Sequence, residues 1–226
     1  MEKVDKQKLI SMIDYTFLTP TASKAEIKTF CEETIEYGFK TVFVNPYYVA
    51  YAHSLLSPHG IKVGVPIGFS LGGATTHVKV EETKEAIRNG AEEIDMLVNL
   101  GAVKSKEYDV VTQDIAEVVK AAQGLTTKVI IETALLTDEE KIKVTECIID
   151  AGADFVKTAT GFNGGGATIE DVQLLRSIAG DKIGVKAAGG VKTYEDAIRI
   201  IEAGADRIGA SGAIAIISGG VSNSSY

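Results

Sequence analysis

Three heptads of this chain are versions of one another: NGAEEID at 89–95, AGADFVK at 151–157 and AGADRIG at 203–209. In each, a glycine of the kind that closes a helix is followed within three residues by a short apolar run. Each therefore marks one junction, where a helix ends and a strand begins. Junctions of this type, separated by helical patterns, specify a parallel sheet whose strands are joined by crossover helices.

The rest of the chain continues the alternation. Strands are expected at 11–18, 41–44, 61–67, 93–98 and 129–131, then at Lys157, at Lys186 and at 207–210. Between them lie helical patterns, two of which open on capping boxes, Ser23 with Glu26 and Thr137 with Glu140. Eight such units close naturally into a barrel. The expected fold is a single (β/α)8 TIM barrel over 1–218, with a short N-terminal helix and a mobile tail at 219–226 rich in Gly, Ser and Asn. An open doubly wound sheet is the alternative, and no GxGxxG follows a first strand to support it.

Composition limits the partners. The 226 residues are 45% hydrophobic and 24% charged, with no Trp and no long apolar run, which is the make-up of a soluble globular protein. A net charge of −8 and a pI near 5.0 argue against nucleic acid or an acidic membrane as partner. The first residues mix charges with apolar positions, unlike a signal peptide, so a cytoplasmic location is expected. Cys31 and Cys147 lie far apart in helical patterns and read as buried thiols. His53, His59 and His77 form no HxH or HxxxH pair, so no metal site is expected.

In a barrel of this type the polar residue ending each apolar run marks the C-terminal face, where such folds carry their chemistry. Those residues are Asp14 and Thr16, Asn45, Asp95, Glu132, Lys157, Lys186 and Ser211. Single polar residues there are ordinary edge solvation. Two lysines closing consecutive strands, among carboxylates, resemble an acid/base site. Neighbouring strands lie roughly 4.8 Å apart. Two ammonium groups about 4 Å apart at an effective dielectric near 20 repel by roughly 4 kcal/mol, about three pKa units, which brings one of them from about 10.4 towards neutrality. The loops beyond the last strands are glycine-rich, with Gly161, Gly164, Gly165, Gly166, Gly189, Gly190, Gly209 and Gly212. Glycine lets backbone N–H groups approach an anion closely. Lysine pair and loops together point to a phosphorylated carbonyl substrate.

Over nearly its whole length the chain resembles the deoxyribose-phosphate aldolase family. The resemblance is carried by DYT (14–16), VNP (44–46), GF (68–69), EIDM (93–96), KTATGF (157–162), VKAAGG (185–190) and GAS (209–211). It implies a class I aldolase, a lyase of deoxynucleotide catabolism, that cleaves 2-deoxy-D-ribose 5-phosphate to acetaldehyde and D-glyceraldehyde 3-phosphate. Lys157 would be the Schiff-base nucleophile, Lys186 the cation that lowers its pKa, and Asp95 the proton shuttle through a water. Asp14, Thr16 and Asn45 would orient substrate; Gly161, Gly189, Gly190, Val191 and Ser211 would hold its phosphate; and Tyr226 would reach the site from the tail. The imine is its own electron sink, so neither metal nor organic cofactor is implied, and a homodimer or homotetramer is.

The chain departs from the family at Tyr15, Phe43, Ser70, Ala159 and Gly212. The last of these removes a hydroxyl from the phosphate loop. Those departures keep two other readings open, a lysine-dependent aldolase with another acceptor and a sugar-phosphate binder without turnover; a pyridoxal-phosphate protein, which would also combine a lysine with a phosphate cup, is a further alternative.

Overall fold

The structure is a computed structural model and describes residues 5–222. Eight parallel strands close in chain order into one barrel: β1 Ile13–Phe17, β2 Thr41–Val44, β3 Lys62–Ile67, β4 Glu93–Leu97, β5 Thr126–Ile130, β6 Phe155–Lys157, β7 Gly184–Ala188 and β8 Arg207–Ala210. The principal crossover helices are α2 Lys24–Tyr37, α3 Val49–Leu56, α4 Thr76–Arg88, α6 Tyr108–Ala121, α7 Asp138–Asp150, α8 Ile169–Ala179 and α9 Tyr194–Glu202. The expected N-terminal helix is α1 Lys6–Met12, which runs straight into β1. Two short helices, α5 Leu100–Lys104 and α10 Ala213–Ile217, were not legible in the sequence. Both are five residues long, too short for an amphipathic period to register.

Local chemistry sets the boundaries. Ser23 and Glu26 form the capping box of α2, and Thr137 and Glu140 that of α7, each closing two orphan donors reciprocally. The repeated heptads have a common mechanism. Their glycines adopt φ 100° at Gly90, 78° at Gly152 and 120° at Gly204, reversing the chain after α4, α7 and α9. In the second and third heptads the acid that follows pins the next strand to its neighbour. Asp154 accepts from the Thr127 N–H at 2.7 Å, and Asp206 from that of Val185 at 2.8 Å.

Outside the barrel, Leu9, Ile27, Val111, Ile115, Val144, Ile148, Val172 and Leu175 fill the layer between helices and sheet, all fully buried. Both cysteines are buried there as free thiols.

The inside of the barrel has a different composition. Alternate strands usually contribute layers of four branched aliphatic side chains; here the layers are charged and aromatic. The lowest holds Thr41, Glu93, Phe155 and Arg207, in contact through Arg207 Nη2 to Glu93 and Arg207 Nη1 to Thr41, each 3.5 Å, and the guanidinium 6.0 Å from the Phe155 ring. Above it, Asp14, Gly64, Lys128 and Lys186 come from the odd strands, and Phe43, Asp95, Lys157 and Gly209 from the even ones. Glycine at 64 is required by space: a Cβ there would stand 2.3 Å from the Phe43 ring.

A candidate active site inside the barrel

The lysines of β6 and β7 are brought together as the sequence suggested. Lys157 and Lys186 are register partners on β6 and β7, 3% and 0% exposed. Each places its Nζ 2.8 Å from the same oxygen, Asp95 Oδ2. A third lysine, Lys128, donates to Asp95 Oδ1 at 3.0 Å and to Glu93 Oε2 at 2.5 Å. Asp14 completes the cluster. Its Oδ1 accepts from Arg207 Nη1 at 2.7 Å, and its Oδ2 lies 2.6 Å from Lys186 Nζ and 3.7 Å from Lys128 Nζ, ion pairs without hydrogen-bond geometry.

The ionisation follows from this geometry. Burial alone would push the Asp95 carboxyl up, but Lys128, Lys157 and Lys186 together override it and hold it far below the ordinary carboxylate range. Asp14 is likewise held down, its burial outweighed by Lys186, Lys128 and Arg207. Lys128 moves the other way: its burial is outweighed by Asp95, Asp14 and Glu93, and its ammonium is stabilised. Lys186 is drawn down to about 8. Burial is the main cause, Asp14 and Asp95 oppose it, and the charges of Lys157 and Lys128 add to it. Repulsion within the lysine pair is thus secondary to desolvation.

The Phe43 ring lies across the same cluster, with its centroid 3.9 Å from Lys186 Nζ, 4.6 Å from Lys128 Nζ and 5.7 Å from Lys157 Nζ. Ammonium groups over an aromatic face gain cation–π attraction.

Beyond β6 the loop is held rigidly. Thr158 Oγ1 donates to the Ala188 carbonyl and accepts from the Ala188 N–H, both at 3.0 Å. Glu132 accepts from the N–H and the hydroxyl of Thr160. Glu132 therefore anchors this loop, unlike the carboxylates that meet the lysines. Past Thr160 opens a cavity of about 220 Å³ walled by Gly161, Gly165, Gly189, Gly190, Val191, Lys192, Gly209, Ala210, Ser211, Gly212 and Ser222. All five residues assigned to a phosphate cup line it. Gly209 joins the two regions, since a Cβ there would stand 3.2 Å from Lys186 Cε.

The family described as DeoC/LacD family aldolase matches residues 8–218. The chain is 70% identical to deoxyribose-phosphate aldolase 2 of Oceanobacillus iheyensis, covering 99% of this chain and 100% of that one. Against deoxyribose-phosphate aldolase of Clostridium perfringens the identity is 53%, over 99% and 100%. The chain belongs to the DeoC/LacD aldolase family. The fold agrees: a tetrameric deoxyribose phosphate aldolase from Aeropyrum pernix superposes with TM-score 0.90 at 33% identity, over 96% of this chain and 92% of that one.

Within this aldolase the remaining expected residues are dispersed. Thr16 is buried and donates to the carbonyl of Asp14 at 3.0 Å. Asn45 donates from Nδ2 to the Thr19 carbonyl at 3.4 Å. Asp14, Asp95 and Lys186 lie within their strands, one layer or more below the rim, and not at the strand ends. Tyr226 lies outside the described residues. Sequence reading passed over Lys128, Glu93, Arg207 and Phe155. For Glu93, Phe155 and Arg207 the signal was parity: residues two before Asp95, Lys157 and Gly209 in the repeated heptads share a face with them.

Proposed function

We propose that this DeoC/LacD aldolase cleaves 2-deoxy-D-ribose 5-phosphate reversibly to acetaldehyde and D-glyceraldehyde 3-phosphate, with Lys157 as Schiff-base nucleophile. The observation that carries the proposal is a buried lysine, ion-paired to a carboxylate shared with a second lysine, one loop away from a glycine-walled cavity. The names of the relatives support the same substrate.

As the free amine, Lys157 adds to C1 of the open-chain sugar, and the carbinolamine loses water to give an iminium. A water held by Asp95 takes the proton of the C3 hydroxyl and passes it to the carboxylate. The C2–C3 bond then breaks, and its electron pair flows into the iminium to form an enamine as glyceraldehyde 3-phosphate departs. Asp95 is a weak base while three cations surround it. Its basicity rises at this step, because forming the enamine discharges one of those cations. The same proton returns to C2 of the enamine, and hydrolysis frees acetaldehyde and the amine.

Lys186 keeps a positive charge beside the forming iminium and shares the Asp95 oxygen with Lys157. Phosphate is held by the backbone at Gly161, Gly189, Gly190 and Val191, by Ser211 and by the charge of Lys192, with Asp14, Thr16 and Asn45 framing the remaining substrate. The Aeropyrum relative is described as tetrameric, and assembly into a homo-oligomer is part of this reading. Among the described residues no helix is long and apolar enough to cross a membrane.

Incubation with acetaldehyde and borohydride, followed by peptide mass spectrometry, tests the proposal. The expected result is a two-carbon adduct on Lys157, absent in Lys157→Arg. Labelling at Lys186 or Lys128 with Lys157 unmodified would overturn the assignment.

A further inference from the structure

The chain does not leave the barrel when α10 ends. The Gly220 N–H donates to the Ala215 carbonyl at 2.9 Å, turning the backbone back, and the Ser222 N–H donates to the Lys192 carbonyl at 2.9 Å. Ser222 is consequently only 6% exposed, although it lies beyond the last helix. Its side chain forms part of the wall of the glycine-lined cavity.

The opposite wall is shaped to receive it. A Cβ on Gly212 would stand 1.9 Å from Ser222 Oγ and 2.4 Å from Ser222 Cβ. The hydroxyl therefore occupies the volume that any side chain at 212 would fill. The backbone there has φ −93°, a conformation every L-residue adopts, so nothing in the local geometry calls for glycine. The docked serine does.

We infer that Ser222 is a binding residue of the cavity: its hydroxyl donates to the phosphate of the substrate and sets the preference for phosphorylated over unphosphorylated sugars. This rests on the reading of the cavity as the phosphate site. A phosphomonoester presents three acceptor oxygens. The glycine loops offer N–H groups and Lys192 a charge, and a hydroxyl brought in by the returning chain supplies a donor on the side where residue 212 has none. Hydrogen bonds to charged groups are the stronger class, so its loss is expected to weaken anion binding about tenfold, roughly 1.4 kcal/mol.

Two variants remove the hydroxyl by different routes. Ser222→Ala deletes it, and Gly212→Ala excludes it by taking its place. Inorganic phosphate is the probe, with its dissociation constant read from thermal stabilisation of the full-length protein. In parallel, kcat/KM is compared for 2-deoxyribose 5-phosphate and 2-deoxyribose. The expected result is an approximately tenfold weaker phosphate constant in both variants and a fall of the same size in the ratio of the two kcat/KM values. Unchanged phosphate binding in Ser222→Ala overturns the inference and leaves the aldolase reading intact. An equal loss on both substrates also overturns it, since a serine that only props the wall would not discriminate. Failure of phosphate to stabilise the wild-type protein would remove the phosphate site itself, and the inference with it.

Discussion

Lys157 and Lys186 donate to a single oxygen. Their ammonium nitrogens each lie 2.8 Å from Asp95 Oδ2, while the other oxygen of that carboxylate takes Lys128 at 3.0 Å. One buried negative charge thus sets the spacing of three buried positive ones.

Replacing Asp95 by Asn keeps the shape and removes the charge. Leaving buried ammonium groups without their counter-ion costs about 3–5 kcal/mol, and turnover is expected to fall at least about a hundredfold with the loss of the proton shuttle. The stability difference has a pH signature. The Asp95 carboxyl is held far below its ordinary range, so its contribution is fully present above the unfolded value near 3.9 and is lost as pH falls towards the folded one. Urea unfolding of both proteins is expected to show a constant gap between pH 5 and 7 that narrows on further acidification. A gap independent of pH down to 3 would mean that Asp95 contributes by packing alone.

Lys186 makes the opposite prediction. Its folded value is about 8 and its unfolded value about 10.4, so between these the unfolded chain binds more protons than the native one. Stability attributable to Lys186 therefore rises with pH across that window, with a slope approaching about 1.4 kcal/mol per pH unit. Compared with Lys186→Met, which does not titrate, the wild-type protein is expected to gain on the order of 3 kcal/mol from pH 8 to 10.4. Parallel curves for the two proteins would contradict the assignment.

The sequence carried the fold almost completely, because the repeated GA-acid junctions and the capping boxes act locally and can be read without knowing what packs where. Strand β2 was expected at 41–44 and is found at Thr41–Val44. Strand β5 was expected to start at 129 and begins at Thr126, since Thr-Thr-Lys reads as a polar loop when its lysine is assumed to face water. That assumption hid Lys128 and its bonds to Glu93 and Asp95. Whether a lysine faces outward or into a charged barrel depends on partners contributed by other strands, and those partners are distant in sequence: Lys128 meets Asp14 from the first strand and Asp95 from the fourth. The same holds for Ser222, whose burial follows from a missing side chain at Gly212, which adjacent residues do not reveal.

Glu132 tests whether the loop beyond β6 must be preordered. It accepts from both the N–H and the hydroxyl of Thr160 and adopts φ 53°, ψ 66°, left-handed for a residue with a side chain. Glu132→Ala leaves two buried donors unsatisfied, at about 1–3 kcal/mol each. The loop they hold leads directly to Gly161 in the cavity wall. KM for 2-deoxyribose 5-phosphate is expected to rise about tenfold, with a smaller change in kcat. A fall in kcat at constant KM would instead place Glu132 in the chemistry.

The charged interior also depends on an aromatic spacer. The Phe43 ring sits 3.9 Å from Lys186 Nζ and fits only because residue 64 has no side chain, three ring carbons lying 2.3–2.7 Å from where its Cβ would be. Gly64→Ala forces the ring towards the lysines and is expected to cost about 1–3 kcal/mol. Phe43→Leu opens a cavity and removes the cation–π contact, and is expected to cost a similar amount. If the two residues share one volume, the effects are not additive: in the Phe43→Leu background Gly64→Ala becomes nearly neutral, giving a coupling energy of about 1 kcal/mol or more. Urea midpoints of the two single variants and the double variant measure it. Additive costs within about 0.3 kcal/mol would show that the ring yields without touching the lysines, and that Phe43 fills space instead of positioning charge.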